Sequence, residues 1–133
     1  MSTEKRCILA IDDAPIVLRA LGHILKEDYN VIVAKSGEQG IELAKKHNPS
    51  LILLDVMMPE MSGFDVIKLL KADNATKSIP IILTTGDDST ASREKGYVLG
   101  AADYIEKPFS EIVVKKRVEF NIQFVEMQRM LGI

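Results

Sequence analysis

Residues 50–65 read SLILLDVMMPEMSGFD, and the fold turns on this stretch. Leu51, Ile52, Leu53 and Leu54 run without a polar break into Asp55. A strand with one wet face alternates apolar and polar residues. An unbroken run suits a strand buried on both faces, as in a parallel sheet covered by helices. Similar runs lie at 7–11 (CILAI), 31–34 (VIVA) and 79–83 (IPIIL), with a weaker pair at Tyr104 and Ile105.

Helical patterns fill the gaps. Ile16, Val17, Ala20, Leu21, Ile24 and Leu25 form an apolar stripe over about 14–27, with Pro15 tolerated in a first turn. Ser36-Gly37-Glu38-Gln39 reads as a capping box opening a second helix, which should stop before Asn48-Pro49. A third helix is predicted from Gly63 to about Ala72, with Phe64, Ile67 and Leu70 inward. A fourth, near 89–99, is weakened by Gly96. Strand–helix alternation of this kind predicts right-handed crossovers and an α/β fold with a doubly wound parallel sheet.

The last helix runs from a Ser110 cap to about Leu131, roughly 33 Å, which exceeds a typical strand of about 17–20 Å. Val114, Val118, Ile122 and Val125 make one apolar row, and Phe120, Phe124, Met127 and Leu131 make another. One row can cover the sheet. The other calls for a second partner, either another copy of the chain or a further domain. No repeat, low-complexity tract or linker divides residues 1–133, so a single domain is expected, with a core over about 6–120 and an extended last helix over about 121–133.

Composition narrows the classes of function. Hydrophobic residues are 47% and charged ones 27% of 133, an ordinary globular balance. A net charge of −2 gives no general pull toward nucleic acid or anionic lipid, and Lys115-Lys116-Arg117 reads as a solvated helix face. No apolar run approaches the length of a membrane span, and residues 1–6 lack the apolar region of a secretory signal. The single cysteine, Cys7, sits in a strand-like run and reads as a buried, inert thiol; a cytoplasmic setting is expected.

In a parallel sheet the C-terminal ends of the strands lie along one edge, where ligands bind. The polar residues that end the runs should meet there: Asp12 and Asp13, Asp55, Thr84-Thr85-Gly86, and Lys107-Pro108. Taken singly, each has a bland reading. Asp13 could cap the first helix, Asp55 could mark a strand end, the threonines suit a strand, and Lys107 suits a surface. Together they have a chemical logic. Three neighbouring carboxylates repel unless a cation joins them, and a hard divalent ion such as Mg²⁺ takes oxygen ligands and phosphate oxygens. An aspartate held there can be phosphorylated, with the Lys107 ammonium and the Thr85 hydroxyl as donors to the phosphoryl oxygens and Gly86 allowing close backbone approach.

The segments ILAIDDAP, LILLDVMMPEMSGFD, IPIILTTGDD and ADYIEKPF, in that order, resemble the four signatures of the receiver domains of two-component response regulators. The resemblance covers about residues 6–120. It implies a flavodoxin-like five-stranded sheet in the order 2-1-3-4-5. It further implies that Asp55 accepts a phosphoryl group from a sensor histidine kinase or phosphotransfer protein. Asp12, Asp13 and Asp55 would hold Mg²⁺, with Mn²⁺ as a substitute, together with the backbone carbonyl of Met57. Lys107 would pair with the phosphate, and Lys107-Pro108 would be a cis peptide. Thr85, 30 residues after Asp55, and Tyr104 would switch and remodel the face of helix 4, strand 5 and helix 5. Met57 and Asp87 occupy positions that tune phosphate lifetime in the family.

The resemblance thus implies a signalling switch that acts on an effector domain or partner protein, not an enzyme with an external substrate. Nothing follows Ile133, so the chain reads either as a single-domain regulator or as a receiver cut within its connecting helix; the projecting apolar helix favours the second. Three other readings are weighed. A phosphatase of the haloacid-dehalogenase type needs an Asp-x-Asp-x-Thr nucleophile loop, which Asp12-Asp13-Ala14-Pro15 does not supply. A flavodoxin needs a hydroxyl-rich phosphate loop where this chain has two aspartates. A phosphorylation-independent interaction module would have lost an acidic residue or the lysine. His23 and His47 have no second ligand at metal spacing and receive no role.

Overall fold

The computed structural model describes residues 5–86 and 89–132. Five strands alternate with five helices: β1 Arg6–Ile11, α1 Pro15–Leu25, β2 Tyr29–Ala34, α2 Gly37–His47, β3 Leu51–Asp55, α3 Gly63–Ala72, β4 Ile81–Thr85, α4 Thr90–Leu99, β5 Asp103–Glu106 and α5 Glu111–Leu131. The strands form one sheet in the order β2-β1-β3-β4-β5, and every pairing is parallel.

The unbroken apolar runs serve two cores at once, because successive side chains leave a strand on opposite faces. Leu9, Ile11, Ile52 and Leu54 join a cluster with Ala44, Val66, Ile67 and Leu70 under α2 and α3. Ile8, Ala10, Leu51 and Leu53 join the other, with Leu18, Leu21 and Leu25 of α1 and Val114, Val118 and Ile122 of α5. The register sets Asp55 beside Thr84 and Thr85 beside Glu106, which fixes the relative heights of the strand ends.

Four local expectations change. Cys7, expected to be buried, is only half-buried near the start of β1. β2 pairs only with β1 and is an edge strand, so Val33 is exposed where burial on both faces was expected. In α1 the buried row is Leu18, Leu21, Ile24 and Leu25; Ile16 and Ala20 point outward, because α5 packs beside this helix and selects the face that carries Leu18. At α2 the Ser36 hydroxyl accepts from the Gln39 N–H (3.1 Å), but the Gln39 side chain accepts from the N–H of Lys35 rather than that of Ser36. The box is therefore half made. α5 reaches Leu131, and its first row is buried at Val114, Val118 and Ile122.

Candidate functional site

The strand ends bring four of the expected groups together. Asp12 follows β1, Asp55 ends β3, Thr85 ends β4 and Lys107 follows β5. The Lys107 ammonium donates to Asp12 Oδ2 at 2.9 Å and to Asp55 Oδ1 at 3.1 Å. Carboxylate oxygens of Asp12, Asp13 and Asp55 lie within 4.8 Å of one another; Asp12 and Asp55 are buried and Asp13 is exposed. The cluster thus has a closed floor and an open lip.

Backbone bonding holds each member. The Asp12 N–H extends the β1–β2 ladder to the Ala34 carbonyl (3.1 Å), and Asp12 Oδ1 accepts from the Ala14 N–H (2.9 Å). That bond starts α1, whose first turn has no side-chain cap, so Asp13 is not spent on capping and faces the cluster. Beyond Asp55, the Val56 N–H donates to the Thr84 carbonyl (3.1 Å) and the Gly63 N–H donates to the Val56 carbonyl (2.9 Å).

This second bond folds the loop back beneath Asp55, where only glycine fits. A Cβ on Gly63 would stand 2.3 Å from the Asp55 carbonyl oxygen and 2.8 Å from Val56 Cα. The turn continues into α3 through a complete capping box. The Asp65 N–H donates to the Ser62 hydroxyl (3.2 Å), and the Ser62 N–H donates to the Asp65 carboxylate (3.1 Å). The sequence reading missed both devices, although Ser62-Gly63-Phe64-Asp65 carries the box in plain form.

Electrostatics at the floor are under strain. Burial pushes the Asp55 carboxyl above the ordinary carboxylate range and the Asp12 charge adds to the rise; hydrogen bonding and charge from Lys107, and a bond from the Met57 backbone, oppose it. For Lys107, burial pulls downward, but its bonds to Asp12 and Asp55 outweigh that and the ammonium is held above its usual value. Among the described residues one ammonium bonds two of the three clustered carboxylates, and all three are hard oxygen donors. This donor set suits Mg²⁺.

The remaining expected residues take distinct places. Thr84 and Thr85 are both buried, and the Lys107 N–H donates to the Thr85 carbonyl at 2.9 Å, tying β4 to the lysine. Gly86 is exposed, and a Cβ there would meet no atom of the described residues within 4 Å. Met57 is exposed at the lip. The Lys107–Pro108 peptide is cis. Asp87 lies outside the described residues. Tyr104 is turned inward: its hydroxyl donates to the Ser92 carbonyl (2.8 Å) and its ring meets that of Tyr97 edge-on at 5.5 Å. Gly96 makes room for it, since a Cβ there would lie 2.6 Å from Tyr104 Oη.

The sequence model of the response regulator receiver domain matches residues 8–119. The chain belongs to the response regulator receiver family. Protein PilH of Pseudomonas aeruginosa is 34% identical over 112 residues, 84% of this chain and 93% of PilH. Response regulator PleD of Caulobacter vibrioides is 37% identical over 118 residues, 88% of this chain but 26% of PleD. The chain spans less than half the length of several curated relatives that it matches. The crystal structure of chemotaxis protein CheY4 of Vibrio cholerae superposes with a TM-score of 0.83 at 28% identity, covering 86% of this chain and 97% of that one. Receiver domains are signalling modules rather than enzymes with an external substrate; the 2-1-3-4-5 order expected from the resemblance and the long last helix expected from the Ser110 cap and its apolar rows are present. No described helix is long and apolar enough to cross a membrane.

Proposed function

We propose that this receiver is switched by phosphorylation of Asp55 in the cytoplasm, the donor being the phosphohistidine of a sensor kinase or phosphotransfer protein. The observation that carries the reading is the bridging of Asp12 and Asp55 by the Lys107 ammonium at the mouth of the sheet. An Asp55 oxygen attacks phosphorus, the P–N bond breaks, and the electron pair leaves with the imidazole nitrogen. Lys107 turns from the carboxylate to a phosphoryl oxygen, and the Thr85 hydroxyl and the backbone at Gly86 complete the donors. Asp12, Asp13 and Asp55, with the Met57 carbonyl, would hold Mg²⁺ or Mn²⁺, which supplies positive charge against the phosphoryl oxygens. The chain catalyses only its own phosphorylation and its dephosphorylation, in which water attacks phosphorus, the P–O bond to Asp55 breaks and inorganic phosphate leaves.

The new dianion changes what Thr85 and Tyr104 contact, and the α4–β5–α5 face carries the change to an effector domain or partner protein. A second copy joined through the last helices is a further partner. The family match gives the haloacid-dehalogenase reading no support.

The test is intact mass after incubation with acetyl phosphate and Mg²⁺, beside Asp55→Asn and an EDTA control. One added phosphoryl group in the wild type alone, labile to hydroxylamine, is expected. Equal labelling of Asp55→Asn would sink the assignment of the acceptor.

A further inference from the structure

The second apolar row of α5 has no cover. Phe120, Phe124, Met127 and Leu131 are 64%, 50%, 56% and 64% exposed, and the two phenylalanine rings stack at 6.2 Å. Followed toward the N-terminus, the same row takes in Arg117 and Val113, so the steps from Val113 to Leu131 alternate four, three, four, three, four. That is the 3.5-residue repeat of the a and d positions in a two-stranded coil, and it persists for almost three heptads. At about 100° per residue the row is centred roughly 130° round the helix from Val114, Val118 and Ile122, which its own sheet already claims.

We propose that this face is one half of a parallel two-stranded coil with a second copy of the chain, in register at Phe124. This gives orientation and register to the pairing of last helices offered above, rests on that reading, and is independent of phosphoryl transfer. Area sets the scale. Phe120, Phe124, Met127, Met130 and Leu131 leave roughly 600 Å² of apolar surface per copy, taking about 200 Å² for a large side chain. Two copies reach about 1,200 Å², where specific interfaces begin.

Charge agrees with self-pairing. The flanking positions along the exposed half are Asn121, Gln123, Gln128 and Met130, none of them charged, so like can face like without repulsion. The one charge in the row, Arg117, is turned back on its own subunit, where Nη1 donates to Asp103 Oδ1 (2.7 Å) and the Tyr104 carbonyl (2.8 Å). The parallel sense follows from a gradient along the helix. The C-terminal half of the row is wholly apolar, whereas the N-terminal half carries Arg117, with Lys116 beside it. Full-length parallel pairing sets apolar against apolar; full-length antiparallel pairing sets it against cations.

Single cysteines in a Cys7→Ser background test the register. Met127→Cys should form a disulfide-linked dimer under mild oxidation, and Arg129→Cys, on the outer side of the coil, should not. Phe124→Glu should abolish the dimer seen by sedimentation from about 1 µM to about 1 mM. Cross-linking only between Phe120→Cys and Leu131→Cys in a mixture would mean antiparallel pairing and overturn the proposal. So would a wild type that stays monomeric at every concentration with and without beryllofluoride, or a Phe124→Glu chain that still dimerises. A wild type that dimerises yet fails to bind beryllofluoride would support the coil and overturn the phosphoacceptor reading.

Discussion

β3 and α4 are held to the molecule on different terms. Every residue of β3 is buried, with a neighbouring strand on each side. α4 buries only Gly96, while Tyr97 and Val98 face solvent. Its polar attachments are the Tyr104 hydroxyl on the Ser92 carbonyl and an ion pair between Arg93 and Glu106, and the buried Arg93 Nε has no hydrogen-bond partner among the described residues. Packed cores resist small displacements, whereas elements with few buried apolar contacts open at low cost. The difference teaches where a switch can be located. Asp55 stands on the part that does not give, so under the proposed switch a change of charge there would be relieved in the part that does.

The sharpest way to break this contrast is Gly63→Ala. The added methyl would meet the Asp55 carbonyl oxygen at 2.3 Å and Val56 Cα at 2.8 Å, both backbone atoms of the buried platform. Neither can rotate aside, so the β3–α3 loop must shift. A loss of about 3 kcal/mol or more is expected by urea denaturation, with impaired beryllofluoride binding in whatever folds. A variant as stable as the wild type would show that the platform is softer than its packing implies.

Gly96→Ala strikes the other region and should cost much less. Its methyl would meet Tyr104 Oη at 2.6 Å and Leu83 Cδ1 at 2.7 Å, the far ends of side chains rather than backbone atoms. Alanine also gains up to about 1 kcal/mol of helix propensity over glycine. The expected net loss is below about 1 kcal/mol, with Tyr104 displaced from the Ser92 carbonyl. Aromatic NMR of Tyr104 would read that shift. A loss as large as that of Gly63→Ala would mean α4 is as firmly packed as β3.

The same contrast explains what could be read from the sequence. The run 51–54 announced a strand buried on both faces because two cores share it, and the polar strand ends could be placed together because a parallel sheet puts them on one edge. β2 was misjudged because VIVA looks identical whether its strand is central or at an edge; only the strand order decides. Ile16 and Ala20 were placed inward in α1 because their row is as periodic as the one through Leu18, and the choice between the rows belongs to α5, distant in sequence. Gly96 was read as a weakness of its helix and Gly63 only as a helix start. Their reasons, the Tyr104 ring and the Asp55 carbonyl, are tertiary. Local pattern picks out the candidate residues that gather at the sheet edge better than the ones that make room for them.

Asp55→Asn turns the firmness of the platform into a pH measurement. Burial and the Asp12 charge raise the Asp55 pKa in the folded state. A carboxyl with a raised folded pKa binds its proton more tightly folded than unfolded. Stability therefore falls as pH climbs from the ordinary carboxylate value, about 4, through the folded pKa, and the deficit is complete above it. Lys107 works in the opposite sense and elsewhere: its folded pKa is raised, so its contribution is present at neutral pH and is lost only in alkaline solution. Asparagine removes the deficit while Asp12 still holds Lys107. In EDTA at neutral pH the variant should be more stable by on the order of 1 kcal/mol, a Tm gain of about 3 °C, and the gain should vanish below about pH 4. Mg²⁺ should close the gap by stabilising the wild type selectively. A gap that stays constant from acid to neutral pH would mean the carboxylate is not penalised by its burial, and β3 would then be holding Asp55 without electrostatic cost.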